Sequence, residues 1–196
     1  MNRTGSTVGH ATRRRAELFD QLVALFLAEG FAELTIDAVA ARLHCSKTTL
    51  YALADGNRDD LVRAVVVHFF RGATERVEAG LAAAIAPHER IEAYLQAVAV
   101  QLSAASPAFF DDVAAAPAAR EVYERNTRLA ARRVEQLMTE GVASGVFRPL
   151  HVGFVADVLA STMVRIQQRE VAAATGLSDA EAYTELAALV LHALSP

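Results

Sequence analysis

Cysteine occurs once in the 196 residues, at Cys45, and tryptophan is absent. A lone thiol excludes an intrachain disulfide framework and cannot by itself make a thiolate metal site. The six histidines (His10, His44, His68, His88, His151 and His192) are scattered, with no HExxH or HxxxH spacing, so no zinc site is expected. No glycine-rich loop suited to phosphate is present. Asp111 and Asp112 are adjacent rather than on one helical face, and Ser161 stands in no nucleophile motif, so neither catalysis nor a cofactor is expected. Apolar runs such as VVVHFF and LAALVLHAL fall well short of the roughly 18 residues that span a bilayer. The N-terminal MNRTGSTVGHATRRR carries charge without an apolar core behind it, unlike a secretory signal, so a cytoplasmic protein without membrane contact is expected.

Lysine is as scarce as cysteine, with Lys47 alone, and the net charge is −4. The charge is uneven. Residues 1–51 hold six basic and five acidic side chains, which leaves the remainder at −5. Arg13, Arg14 and Arg15 form the densest basic run, which reads either as a solvated helix start or as part of an electrostatic footprint.

What the sequence does have is helical periodicity nearly throughout, and no strand pattern. Phe19, Leu22, Val23 and Phe26 recur at i, i+3, i+4 and i+7 and stop at Gly30, which predicts a first helix near 11–29. Thr35 stands as an N-cap before Ile36, Val39, Ala40 and Leu43, and Ser46 before KTTLYAL. Two short helices joined by a tight turn result. DGN at 55–57 is turn chemistry, and a long fourth helix should follow, ending before Pro87. Further helices are expected near 88–104, 107–115, 118–144, 151–174 and 178–194, about nine in all, with breaks at Pro107, Pro117, Pro149 and Gly176. The fold class is all-α.

Residues 35–53 fit a helix-turn-helix, in which one helix braces across the DNA backbone and the next offers short polar or basic side chains to base edges. Ser46, Thr48 and Thr49 supply hydroxyls, Lys47 can meet a guanine edge or a phosphate, and Tyr51 can reach a phosphate. The helix opened by Thr35 presents free N–H groups to a phosphate. Cys45, in the turn beside Lys47, reads either as a packing residue or as a thiol of lowered pKa open to oxidation.

The run AELFDQLVALFLAEGFAELTIDAVAARLHCSKTTLYALADGNRDDLV closely resembles the N-terminal signature of the TetR family of bacterial repressors. The signature falls on Gly30, Phe31, Thr35, Ile36, Val39, Ala40, Ser46, Lys47, Thr49, Leu50 and Tyr51 and spans about a quarter of the chain. The chain departs from it after Tyr51, where Ala54 and DGNRDDL replace the usual aromatic residue and cap and the path to Leu61 is longer. The resemblance implies a three-helix DNA-binding head, 1–56, on a helical effector-binding and dimerisation bundle, 57–196. It also implies a homodimer that binds a palindromic operator and is released by an unidentified small molecule that shifts the fourth helix. A helical ligand carrier or enzyme on the same scaffold is the alternative.

DNA contacts are then expected from Arg14, Thr35, Cys45, Ser46, Lys47, Thr48, Thr49, Tyr51 and Arg58. The bulky residues Phe69, Tyr94, Phe110, Tyr123, Met138 and Met163, with Arg165 as polar candidate, are expected to line an effector pocket, although most such side chains serve as core. The last two helices carry broad apolar faces, and Phe154, Val158, Thr162, Tyr183, Leu186 and Val190 are expected at a four-helix dimer contact.

Overall fold

The computed structural model describes residues 4–194 except 55, 82, 83 and 85, with side chains from residue 13 onward. The described residues form ten helices and no strand. Helix α1 (Thr4–Glu29) buries Leu22 and Phe26 and ends where Gly30 takes φ +77°, a left-handed conformation that a side chain would strain. Helix α2 (Ile36–Arg42) is capped by Thr35, whose Oγ1 accepts the N–H of Ala38 at 3.1 Å. Helix α3 (Lys47–Tyr51) is capped in the same way by Ser46, which accepts from Thr49 at 3.1 Å. Between them His44 takes φ 50°, a tight reversal made without glycine.

Helix α4 (Arg58–Leu81) starts where Asn57 Oδ1 accepts the N–H of Asp60 at 2.9 Å, and it buries a stripe from Leu61 to Leu81. The turn expected at 55–57 begins at Asp55, outside the described residues, as do 82, 83 and 85 at the far end of α4. Helices α5 (Pro87–Leu102), α6 (Pro107–Ala115) and α7 (Pro117–Ala143) each place a proline in the first turn, where its missing N–H costs nothing. Helix α4 packs on α5 and α7, α1 on α4 and α6, and the terminal helix α10 (Asp179–Leu194) along α5.

The continuous helix expected over 151–174 is instead two: α8 (Val152–Gln167), packed on α7, and the short α9 (Glu170–Thr175). No glycine or proline marks the break. Arg169 adopts φ 63° there, and its guanidinium reaches Asp111 on α6 at 2.7 Å and Asp179 at the start of α10. These two ion pairs hold a bend that local propensity would not choose. One apolar core runs without interruption from Leu22 and Leu50 through Phe69 and Phe109 to Val190 and Leu194.

Candidate nucleic-acid interface and the cavity behind it

Helix α3 buries Leu50 and leaves Lys47, Thr48 and Thr49 exposed, so its outer face is polar because one leucine anchors the other side. The Ser46 and Thr49 hydroxyls lie 2.8 Å apart, and Tyr51 is half-buried at the helix end. Lys47 Nζ lies 2.6 Å from Asp37 on α2, and that hydrogen bond, with the aspartate's charge, raises the lysine pKa. An open groove between α1 and α3 brings Arg14 together with Cys45, Ser46 and Thr49. His44 and Gln21, not singled out in the sequence, line it too. Burial pushes the Cys45 thiol up rather than down, opposite to what an oxidation sensor needs.

Arg58 is not turned outward to a phosphate. Its Nη2 donates to the carbonyls of Phe31 at 2.5 Å and Ala32 at 3.2 Å, and so braces the α1–α2 turn from α4. From the other side Asp112 on α6 accepts the N–H groups of the same two residues. The arginine at the start of α4 thus ties the α1–α2 turn to that helix.

Behind the head, α4, α5, α7 and α10 enclose a cavity of about 310 Å³. Its buried wall is aromatic, with Phe70, Tyr94, Tyr123 and Tyr183, and its rim is polar, with Thr74, Glu78, Gln101, Asn126, Arg132, Arg133 and Gln136. Glu78 and Arg133 face each other through two hydrogen bonds of 3.0 and 3.1 Å. Burial, first of all, raises the pKa of all three tyrosines, so they stand as neutral phenols. Tyr123 donates to Asp179 at 3.1 Å and stacks on Phe70 with ring centroids 4.8 Å apart.

Of the residues expected to line a pocket, Tyr94 and Tyr123 do so. Phe69, Phe110 and Met138 are closed into the core, Phe69 and Phe110 by edge-on contacts with Phe109. Met163 faces a packing gap of about 10 Å³ beside Tyr94, too small for a ligand. Arg165 turns away to pair with Glu170 at 3.1 Å, and its neighbour Gln167 is buried in the core. The expected dimer residues divide as well. Phe154 (66% exposed) and Val158 (47%) are open and Thr162 is half-buried, whereas Tyr183, Leu186 and Val190 are interior because α10 packs that face on α5. Leu189, off that face of α10, is 68% exposed. Among the described residues no cluster of three or more metal-ligating side chains occurs, and no helix is long and apolar enough to cross a membrane.

No family model matches the sequence, and no curated protein is significantly similar to it. Solved structures are similar in fold. A candidate transcriptional regulator from Saccharomonospora viridis, in complex with choline, shares 16% identity at a TM-score of 0.71, over 92% of this chain and 97% of that one. The fatty acid degradation regulator FadR from Bacillus halodurans shares 13% at 0.66, over 92% and 96%. The TetR family regulator PfmR from Thermus thermophilus shares 18% at 0.55, over 91% and 99%.

Proposed function

We propose that this chain, which has the fold of the TetR-family regulators, is a homodimeric transcriptional repressor that binds a palindromic operator through α3 and lets go when a small molecule enters the cavity behind it. The carrying observation is the polar outer face of α3, where Lys47, Thr48 and Thr49 stand exposed over a buried Leu50. Ser46, Thr49 and Tyr51 complete the reading surface, and Arg14 and the N-terminus of α2 beside Thr35 meet flanking phosphates. Residues 1–56 act as the head and 57–196 as the sensing and pairing body, in the cytoplasm.

The effector is an apolar or amphipathic molecule, in keeping with the aromatic wall and polar rim. A route to the head exists in packed rings: Phe110 lies 5.9 Å from Tyr123, Phe109 5.5 Å from Phe110, and Phe31 of the α1–α2 turn 6.1 Å from Phe109. Displacing Tyr123 or Phe70 therefore tilts the head relative to its partner copy, and two heads must stay about 34 to 36 Å apart to enter successive major grooves. A coupling of roughly 1 to 3 kcal/mol would weaken operator binding by up to about a hundredfold.

Selection of bound duplexes from a random pool tests this reading. Recovery of an inverted repeat with half-sites one helical turn apart is expected. Failure to enrich any duplex at moderate salt would leave a helical ligand-binding protein on the same scaffold.

A further inference from the structure

The cavity leaves two of its polar groups unspent. Tyr94 is only 6% exposed, yet its hydroxyl has no hydrogen-bond partner among the described residues, and it lines the cavity. That hydroxyl is not among the closed-off polar atoms of the core, so it can donate a hydrogen bond to an acceptor oxygen on a guest in the cavity. Arg132, exposed at the rim, forms no ion pair among the described residues. The remaining charges at the rim cancel: Glu78, the one carboxylate lining the cavity among the described residues, is gripped at both oxygens by Arg133. An organic cation would find no free carboxylate there. An organic anion finds a free guanidinium and a free phenolic donor.

We infer that the cavity takes a monocarboxylic organic acid of about one aromatic ring, its ring against Phe70, Tyr123 and Tyr183, its acid end toward Arg132 and an acceptor oxygen on Tyr94. The volume sits at the lower end of ligand pockets, roughly 300 to 1,000 Å³, which fits a body of that size and disfavours a long acyl chain held in full. Four buried aromatic side chains supply offset and edge contacts to a ring. This inference rests on the cavity being the effector site, but its test reads binding directly and needs no DNA.

The test is calorimetric titration of the purified chain with three probes that share one body: phenylbutyrate, phenylbutyramide and phenylbutylamine. The acid should bind about tenfold tighter than the amide, as a charge-assisted contact would give, and the amine weakest. Arg132→Gln, at an exposed position, should close the gap between acid and amide. Tyr94→Phe should weaken both by several-fold, with its thermal melt near the parent's to show an intact core. Tightest binding by the amine, an acid–amide gap that survives Arg132→Gln, or no heat from the acid at millimolar concentration would each overturn the assignment. Failure of the chain to retard any duplex would leave this result standing, so the two readings fail separately.

Discussion

Asp112 accepts the backbone N–H of Phe31 at 2.5 Å across 81 residues of sequence, and the same Oδ2 takes the N–H of Ala32 at 2.8 Å. Arg58 meets the carbonyls of the same pair, so one turn between α1 and α2 is gripped from α6 and α4 at once. The orientation of the head is therefore set by two charged side chains rather than by helix packing alone. Asp112→Ala should strand two N–H groups, one on the buried Phe31, and cost about 1 to 3 kcal/mol. Thermal melting measures the loss, and hydrogen exchange should quicken at Phe31 and Ala32 first. Unchanged exchange at those two amides would show that the grip is not made in solution.

Gly30 admits the carboxylate into that turn. A Cβ there would lie 2.5 Å from Asp112 Oδ2 and 3.2 Å from the Ala108 backbone, at a φ of +77° that L residues avoid. Gly30→Ala should thus be destabilising twice over, by roughly 1 to 2 kcal/mol for the backbone conformation and more for the displaced aspartate. A melt within error of the parent would contradict this.

Much of this architecture is legible in the sequence because it is local. The Thr35 and Ser46 caps, the Gly30 stop and the prolines opening α6 and α7 each act within a few residues, and each stands where the side-chain chemistry puts it. The rest depends on partners distant in sequence. The α8–α9 break is made by Arg169 pairing with Asp111, 58 residues away, and Glu78 meets Arg133 across 55. Tyr183, Leu186 and Val190 read as dimer positions in the sequence because a helix apolar on two sides does not declare which side meets its own core. Only the packing of α5 decides it. Arg58 illustrates the same limit: an arginine at a helix start reads as a phosphate ligand until the carbonyls of a folded turn claim it.

Tyr123 links the cavity wall to the head by a polar path as well as by rings. Its hydroxyl bonds Asp179, Asp179 pairs with Arg169, and Arg169 pairs with Asp111, next to Asp112 on α6. Tyr123→Phe removes one hydroxyl and no volume of the ring. It should raise hydrogen exchange at Phe31 and Ala32 while leaving the melt within about 1 to 2 kcal/mol of the parent, the scale of one buried hydrogen bond. A rise confined to α7 and α10 would mean that the path ends at Asp179.

On the proposed reading, Lys47 exchanges Asp37 for DNA. Both side chains are exposed, so the swap is cheap, and an exposed lysine is charged at neutral pH with either partner. If it meets a phosphate, Lys47→Ala should flatten the dependence of log affinity on log salt by about one unit; if it meets a base, sequence preference relaxes instead. Asp37→Asn should tighten operator binding, since it removes both the competitor and a negative charge facing the duplex. Retardation across a salt series reads both variants, and no change in either would remove Lys47 from the interface.

Cys45 lines the groove beside Arg14 and Ser46, but burial raises its thiol pKa, which lowers the thiolate fraction at neutral pH. Alkylation by iodoacetamide should run slower than for an unhindered cysteine peptide, and Cys45→Ser should bind the operator as the parent does under mild oxidant. Faster alkylation than the peptide would reinstate a redox role.

Pairing of two copies is best tested where the protomer has nothing to lose. Phe154 and Val158 on α8 and Leu189 on α10 are open to solvent on helices packed against each other, an apolar face that a second copy can cover. Substituting Leu186 or Val190 would instead open the core and confuse unfolding with dissociation. Phe154→Glu with Leu189→Glu places charge in the contact without touching the interior, so sedimentation should report a folded monomer with unchanged helical circular dichroism. Because two linked heads bind with an effective concentration that one head lacks, operator affinity should fall by roughly 10² to 10⁴ while any cavity ligand binds as before. A double variant that still sediments as a dimer would move the interface elsewhere on the surface, and one that stays monomeric yet keeps full operator affinity would dissociate pairing from DNA recognition.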